Sequence, residues 1–407
     1  MADLIVRISG CDEALLSRLA APSRIGLPAT ARRPFDRIVV DAHTAAATPD
    51  IARTARRAGI PMLIDPQTFY LQDQQHPADP WAKLPFASSS CATVGDLLNP
   101  EVADRLIAES LEFQLTHGAS ILTTPYVHVE RADDGWAQVQ VALHRRTRRY
   151  LDGNNLRMPL LAPLALSWRL LGRTTWPAAL DELVAAIQVL EPTEVALVAS
   201  KIDQGTRADR RLADLYATIR RVRRKWPVIA WQQGVLGEAC VAAGAAGYET
   251  GIGWRERCDL RAQMGTHRRP AGQGFGARPV YIAALGRSIP KSTVAALLTD
   301  HPAITADLVC LDPKCCPAGR HALTSDARTH AVIARATRLA TISAAAHPRW
   351  AWKHLSTQST YGLELADRIN TIASRNAGIA KVDTTALHAI AVTSDVRRQV
   401  ASRRHAA

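Results

Sequence analysis

Residues 194–231 read EVALVASKIDQGTRADRRLADLYATIRRVRRKWPVIAW. Two short apolar runs, Glu194–Val198 and Val228–Trp231, flank a stretch in which Leu212, Leu215, Ile219 and Val222 recur at helical spacing. Asp209 stands at the start of that helix, and Arg210, Arg220, Arg221, Arg223 and Arg224 take its opposite face. Strands without polar alternation are buried on both faces, which suits a parallel sheet covered by helices. The stretch is therefore a strand–helix–strand unit.

The same unit repeats on both sides. Further candidate strands are Arg37–Val40, Pro61–Ile64, Ser120–Thr123, Pro159–Ala162, Gly247–Glu249, Val280–Ala284 and Leu308–Cys310. Between them, Asn99 caps a helix with Pro100 at its first position; Leu106, Ile107, Leu111 and Leu115 form its stripe and Gly118 ends it. Pro177 opens another, striped by Leu180, Leu183, Val184, Ile187 and Leu190. Repeated strand–helix alternation predicts an α/β fold, a TIM-type (β/α)8 barrel. Nine candidates are one too many, so at least one strand lies outside the barrel. No Gly-x-Gly-x-x-Gly follows an early strand, which argues against dinucleotide binding. Residues 251–279, rich in Gly and Arg, read as a long basic loop. The barrel is expected over 1–312 and a C-terminal helical, zinc-binding extension over 313–407, fraying from Arg397 onward.

The chain has 407 residues, 47% of them hydrophobic, which excludes disorder and allows a large core. Its longest apolar stretch, Met158–Leu171, is broken by prolines and Arg169 and is too short to span a bilayer, so no membrane association is expected. The first residues lack the pattern of a signal peptide. Seven cysteines in so long a chain do not form a secreted disulfide framework, and a reducing cytoplasm is the expected location. The net charge of +13 favours polyanionic partners, RNA or DNA.

In a barrel, chemistry sits at the C-terminal ends of strands. That rule selects Asp41, His43, Asp65, Thr124, Tyr126, Ser200, Lys201, Asp203, Gln232, Gln233 and Glu249. Asp65, Thr124, Ser200, Gln232 and Glu249 are expected to ring one mouth. Asp41 and His43 alternate as a metal-ligand pair would, but no further histidine joins them from sequence. Cys310, Cys315 and Cys316 precede His330 and His321; three thiolates and an imidazole make a tetrahedral set for a structural zinc ion, with His330 the preferred fourth ligand.

These residues resemble the tRNA-guanine transglycosylases. Ile64-Asp65-Pro66-Gln67-Thr68-Phe69 is similar to that family's Thr-Asp-Ser-Gly-Gly-Phe-Gln segment, and Asn99-Pro100-Glu101 to its helix start. Gly244 to Glu249 is similar to its Gly-Val-Asp-Met-Phe-Asp, followed by Arg255, and the cysteine cluster comes after. The resemblance implies base exchange or cleavage at a glycosidic bond. It implies Asp65 and Glu249 as the catalytic carboxylates, with Glu249 at the nucleophile's position. Phe69, Tyr126 or Trp231 would stack a flipped base, Thr124 and Gln232 would contact it, and Arg255, Arg268 and Arg269 would hold phosphates. Pro66-Gln67 replaces the family's Gly-Gly, and Thr123-Thr124-Pro125 its Phe-Asp-Glu, which points to a base other than guanine or to DNA. Two other readings fit the residues: a catalytically inactive nucleic-acid-binding barrel, and a small-molecule barrel enzyme using Lys201 or a phosphate site.

Overall fold

The computed structural model describes residues 2–25, 31–171, 176–269, 276–310, 312–313 and 315–406. Nine strands form the main sheet: β1 (Asp3–Ile8), β2 (Arg37–Asp41), β3 (Met62–Asp65), β4 (Leu122–Thr123), β5 (His128–Val129), β6 (Leu160–Ser167), β7 (Glu194–Ser200), β8 (Val228–Ala230) and β9 (Gly247–Thr250). Every pairing in it is parallel. The order runs β3-β2-β1-β9-β8-β7-β6-β4, and a bridge from Leu63 to Ile121 joins its two ends. Helices cover the outside, giving a TIM-type (β/α)8 barrel. β4 and β5 are two pieces of one barrel position, since both pair with β6. Pro125 lies between them, and a proline cannot donate to the ladder.

The strands are almost wholly buried, as their apolar runs require. Three expectations are corrected. The first barrel strand is not Arg37–Val40 but β1; its apolar run includes a buried arginine, Arg7, 5% exposed. Val280–Ala284 contributes only β10 (Val280–Ile282), which pairs antiparallel with β11 (Arg287–Ile289) outside the barrel. Leu308–Cys310 is not a strand, because Leu308 ends a helix that Pro302 opens. The basic loop also carries an unforeseen helix, Leu260–Thr266, capped by the Asp259 side chain; its residues 270–275 lie outside the described ones.

The helix Ala327–Ser343 packs on β1, β10 and the helix Gly237–Ala242, and so completes the wall between the last and first strands. The hairpin β10–β11 belongs to a second apolar core, in which Val280, Ile282, Leu285 and Ile289 meet Val294, Leu297, Leu365 and Ile369. That core extends through the antiparallel pair Pro348–Ala373 and Thr385–Ala406. The latter helix continues through the stretch expected to fray.

Gly247 marks a tight seam, where β9 meets β1: a Cβ there would lie 2.4 Å from the Asp3 carbonyl oxygen. Gly247→Ala is expected to cost on the order of 1–3 kcal/mol in urea unfolding. Gly265→Ala, with nothing within 4 Å of the added methyl, should leave stability unchanged or raise it.

Candidate functional site

The interior of β1 holds the one group that organises the mouth. Arg7 donates from Nε to Glu249 Oε1 at 2.9 Å and from Nη2 to Asp65 Oδ2 at 3.0 Å, and its Nη1 pairs with Asp41. Nη2 also reaches Glu249 Oε2 at 3.3 Å. Asp41, Asp65 and Glu249 are the interior-facing residues at or near the C-terminal ends of β2, β3 and β9, so the barrel brings three carboxylates onto one guanidinium. Asp65 and Glu249 are 0% exposed.

Asp65 accepts further hydrogen bonds from Tyr126 Oη (2.9 Å), the Gln67 backbone N–H (3.1 Å) and Trp231 Nε1 (3.4 Å). Glu249 accepts from the Gln232 backbone N–H at 2.8 Å. Both backbone donors sit in the left-handed region, Gln67 at φ 51° and Gln232 at φ 55°. Lys201 (φ 61°) directly follows β7, and Arg255 (φ 56°) follows β9. Non-glycine residues in this region are uncommon and strained, and such strain gathers where a site is built. At Gln67 and Gln232 it turns backbone N–H groups toward carboxylates.

Charge decides the ionisation. Burial works to raise Asp41, but the Arg7 and Arg255 charges outweigh it and hold the carboxyl at about 2. Glu249 goes the other way: burial lifts it above the usual carboxylate range despite Arg7. Paired charge thus wins over burial at Asp41, and burial wins over paired charge at Glu249.

A cap closes the mouth. Arg255 donates to Gln263 Oε1 (2.6 Å) and Tyr70 Oη (3.3 Å) and lies 3.8 Å from Asp41. Gln263 donates to Gln232 Oε1 at 2.6 Å. The Leu260 backbone N–H donates to Ser200 Oγ at 3.1 Å. Beneath the cap, Gln67 Oε1, Thr124 Oγ1 and Gln232 Nε2 are buried without a partner among the described residues. Buried polar atoms are ordinarily satisfied, so each of these atoms has hydrogen-bonding capacity left over.

Asp65, Thr124, Ser200, Gln232 and Glu249 thus lie at one end of the barrel, all enclosed. Phe69 and Tyr126 are 0% exposed and pack in the core, Phe69 against Tyr70 and Tyr126, so neither offers an open stacking face. The loop arginines are mostly engaged. Arg257 pairs with Asp203 and Asp383, Arg261 with Glu130, Arg268 with Asp73 and Arg278 with Asp12. They fasten the loop across the mouth, and Arg269 is exposed beside it. Sequence reasoning missed Arg7, hidden in an apolar strand, and a dyad in which His267 Nδ1 meets Asp79 Oδ2 at 2.8 Å, with His43 6.4 Å away ring to ring. Neither His267 nor Asp79 follows a strand, so the strand-end rule could not select them.

Cys310, Cys315, Cys316 and His330 come together outside the barrel, with ligand atoms all within 4.8 Å of one another. His330 Nδ1 lies 3.2 and 3.1 Å from the sulfurs of Cys315 and Cys316. Its Nε2 is 3.0 Å from the Tyr281 carbonyl oxygen, which can only accept. That bond puts the ring proton on Nε2 and leaves Nδ1 free to ligate. The four residues can hold a tetrahedral metal ion.

No family model matches the chain, and no curated protein matches it. Among solved structures it is similar to a GH18 chitinase from Pseudoalteromonas aurantia (10% identity, TM-score 0.38, 65% of this chain and 100% of that one). It is also similar to a psychrophilic glycoside hydrolase family 10 endo-beta-1,4-xylanase (9%, 0.33, 56% and 72%). A third is the 3-dehydroquinate dehydratase from Aquifex aeolicus VF5 (10%, 0.30, 67% and 99%). Likenesses this low say nothing of the chemistry.

Asp41, held down to about 2, adds stability that is fully present above its ordinary pKa of about 3.9 and is lost as pH falls through about 2. In urea unfolding, the advantage of wild type over Asp41→Asn is expected to be constant above about pH 5 and to shrink steadily below about pH 4.

Proposed function

We propose that this barrel is an enzyme that cleaves or exchanges a base-like group at a glycosidic bond, as the resemblance to the tRNA-guanine transglycosylases implies. The observation that carries the reading is the pair Asp65 and Glu249 on one nitrogen of Arg7, at 3.0 and 3.3 Å. Retaining glycosyl chemistry needs two carboxyl groups about 5 Å apart, one to carry charge and one to carry a proton. The partnerless Gln67, Thr124 and Gln232 atoms offer the donors and acceptors that the edge of a heterocycle requires. Substrate entry requires the cap Arg255–Thr266 to lift, breaking the Arg255–Tyr70 and Gln263–Gln232 contacts.

The environments favour one division of labour. Asp65, fixed by Arg7, Tyr126, Trp231 and the Gln67 N–H, is the charge that faces the anomeric carbon and attacks it. Glu249, raised by burial, gives its proton to the departing base and then takes one from the incoming acceptor. This reverses the order the resemblance implies. The assay is release or exchange of free base from ribonucleosides and from RNA and DNA oligonucleotides, followed by mass spectrometry. Asp65→Asn and Glu249→Gln are each expected to lose at least about 100-fold in rate. Activity should fall as pH rises through the raised Glu249 pKa, and Glu249→Gln should flatten that limb. Rescue by azide in Glu249→Gln with a glycosyl azide of inverted configuration, and none in Asp65→Asn, would restore the order of the family.

A second reading has its own observation, the Asp79–His267 dyad at the rim beside His43 and Arg255. It would serve acid–base chemistry on a small anionic molecule. If His267→Ala abolishes a detected activity that Glu249→Gln leaves intact, this reading replaces the first.

The Cys310, Cys315, Cys316 and His330 set suits zinc, which would tie the segment after the second core's helices to the helix Ala327–Ser343. One equivalent of zinc per chain is expected by elemental analysis. Cys316→Ser and His330→Ala should each lose it and lower the melting temperature, because the binding energy of such a site is folding energy.

A further inference from the structure

The net charge of +13 has to be displayed somewhere, and the loop at the mouth uses most of its arginines internally. At the other end of the barrel the balance differs. The helix Ala208–Val222 runs down to the turn that feeds the N-terminal end of β8, so its last residues lie opposite the mouth. There two adjoining hollows, of about 680 and 620 Å³, share Arg220 and Arg224 in their walls. Arg223, Arg397 and His347 line the first, together with Trp352 and Val400; Arg221 and Lys225 line the second. Six arginines and lysines line the two hollows together with one acid, Asp181, which is paired with Arg221.

The groove is built from separate parts of the chain. Arg220 to Lys225 come from one barrel helix and its turn, His347 and Trp352 from the start of the helix Pro348–Ala373, and Arg397 from the last helix. Arg223 and Arg224 are exposed. Gly244, at φ +111°, makes room for Arg223: a Cβ there would lie 1.7 Å from its Nη1. On the same helix as Trp352, Trp350 is 48% exposed and carries two cations, Arg349 at 4.9 Å and Lys353 at 5.5 Å from its ring.

We propose that this groove binds the phosphodiester backbone of a nucleic acid, in contacts separate from the mouth and independent of the chemistry assigned there. Arginine predominates over lysine, and its planar fork matches phosphate oxygens in pairs. Arg220 and Arg224 stand between the two hollows with the other cations on either side, a row of charges that suits a linear chain of phosphates.

The test is binding of a 20-nucleotide single strand and of the matching duplex, in RNA and DNA, to the full chain between 50 and 200 mM salt. The groove variant is Arg220→Ala with Arg223→Ala and Arg224→Ala. The control removes the same charge elsewhere: Arg53→Ala with Arg56→Ala and Arg57→Ala, on an exposed helix face. The groove variant is expected to weaken binding at least tenfold and to flatten the salt slope by about two units, at roughly 0.7 to 0.9 per phosphate. The control should stay within about twofold. Circular dichroism and melting of both variants separate lost binding from lost folding. The proposal fails if wild type binds no oligonucleotide at 50 mM salt, or if both variants lose equally. It also fails if polyglutamate, or vesicles containing phosphatidylserine, compete as well as the oligonucleotide at equal charge.

Discussion

One guanidinium and three carboxylates meet inside the barrel, and the mouth is arranged around them. Arg7 is 5% exposed, and Asp65 and Glu249 are 0% exposed. Ions so enclosed would each cost several kcal/mol if left alone. They are tolerable because every Arg7 nitrogen has a carboxylate partner, Asp65 and Glu249 have further donors, and Asp41 has Arg255 at 3.8 Å. The requirement reaches into the backbone. Gln67 and Gln232 adopt left-handed conformations that place their N–H groups against Asp65 and Glu249. It also ties four strands, β1, β2, β3 and β9, at one level of the barrel.

The same cluster connects the fold to the chemistry proposed for it. Two carboxylates in different electrostatic surroundings can divide charge and proton between them. Asp65 is held by four donors, while Glu249 is the member that burial raises. Arg255 closes the structure from above through Asp41, Tyr70 and Gln263, so the loop that seals the mouth is sensed by the charge beneath it. The paired arginines of that loop explain why a stretch so rich in cations leaves few of them available to phosphate. The opposite end, with Arg223 and Arg224 exposed, carries the charge outward.

Most of the barrel was legible because buried parallel strands leave apolar runs in the sequence. The seams were not. β1 is hard to read because Arg7 interrupts its apolar run and Asp3 precedes it. β4 is split by Pro125, and Leu308–Cys310 looks like a strand only until Pro302 is taken as a helix start. The strand-end rule placed Asp65, Thr124, Ser200, Gln232 and Glu249 at one end, and helical spacing with thiol chemistry placed Cys310, Cys315, Cys316 and His330 together. Neither rule reaches a partner inside a strand, such as Arg7, or residues brought in from loops, such as Asp79 and His267. Which arginines face acids and which face water is fixed by tertiary pairing, and the sequence lists them alike.

The claim on which the rest depends is that Arg7 balances the carboxylates. The most direct measurement is the unfolding free energy, in urea at neutral pH, of Arg7→Met alone and combined with Glu249→Gln. Removing the cation from a buried ionic cluster should cost on the order of 3–5 kcal/mol, and neutralising Glu249 in the same chain should recover a good part of that loss. A loss below about 1 kcal/mol for Arg7→Met, or strict additivity of the two changes, would contradict the account.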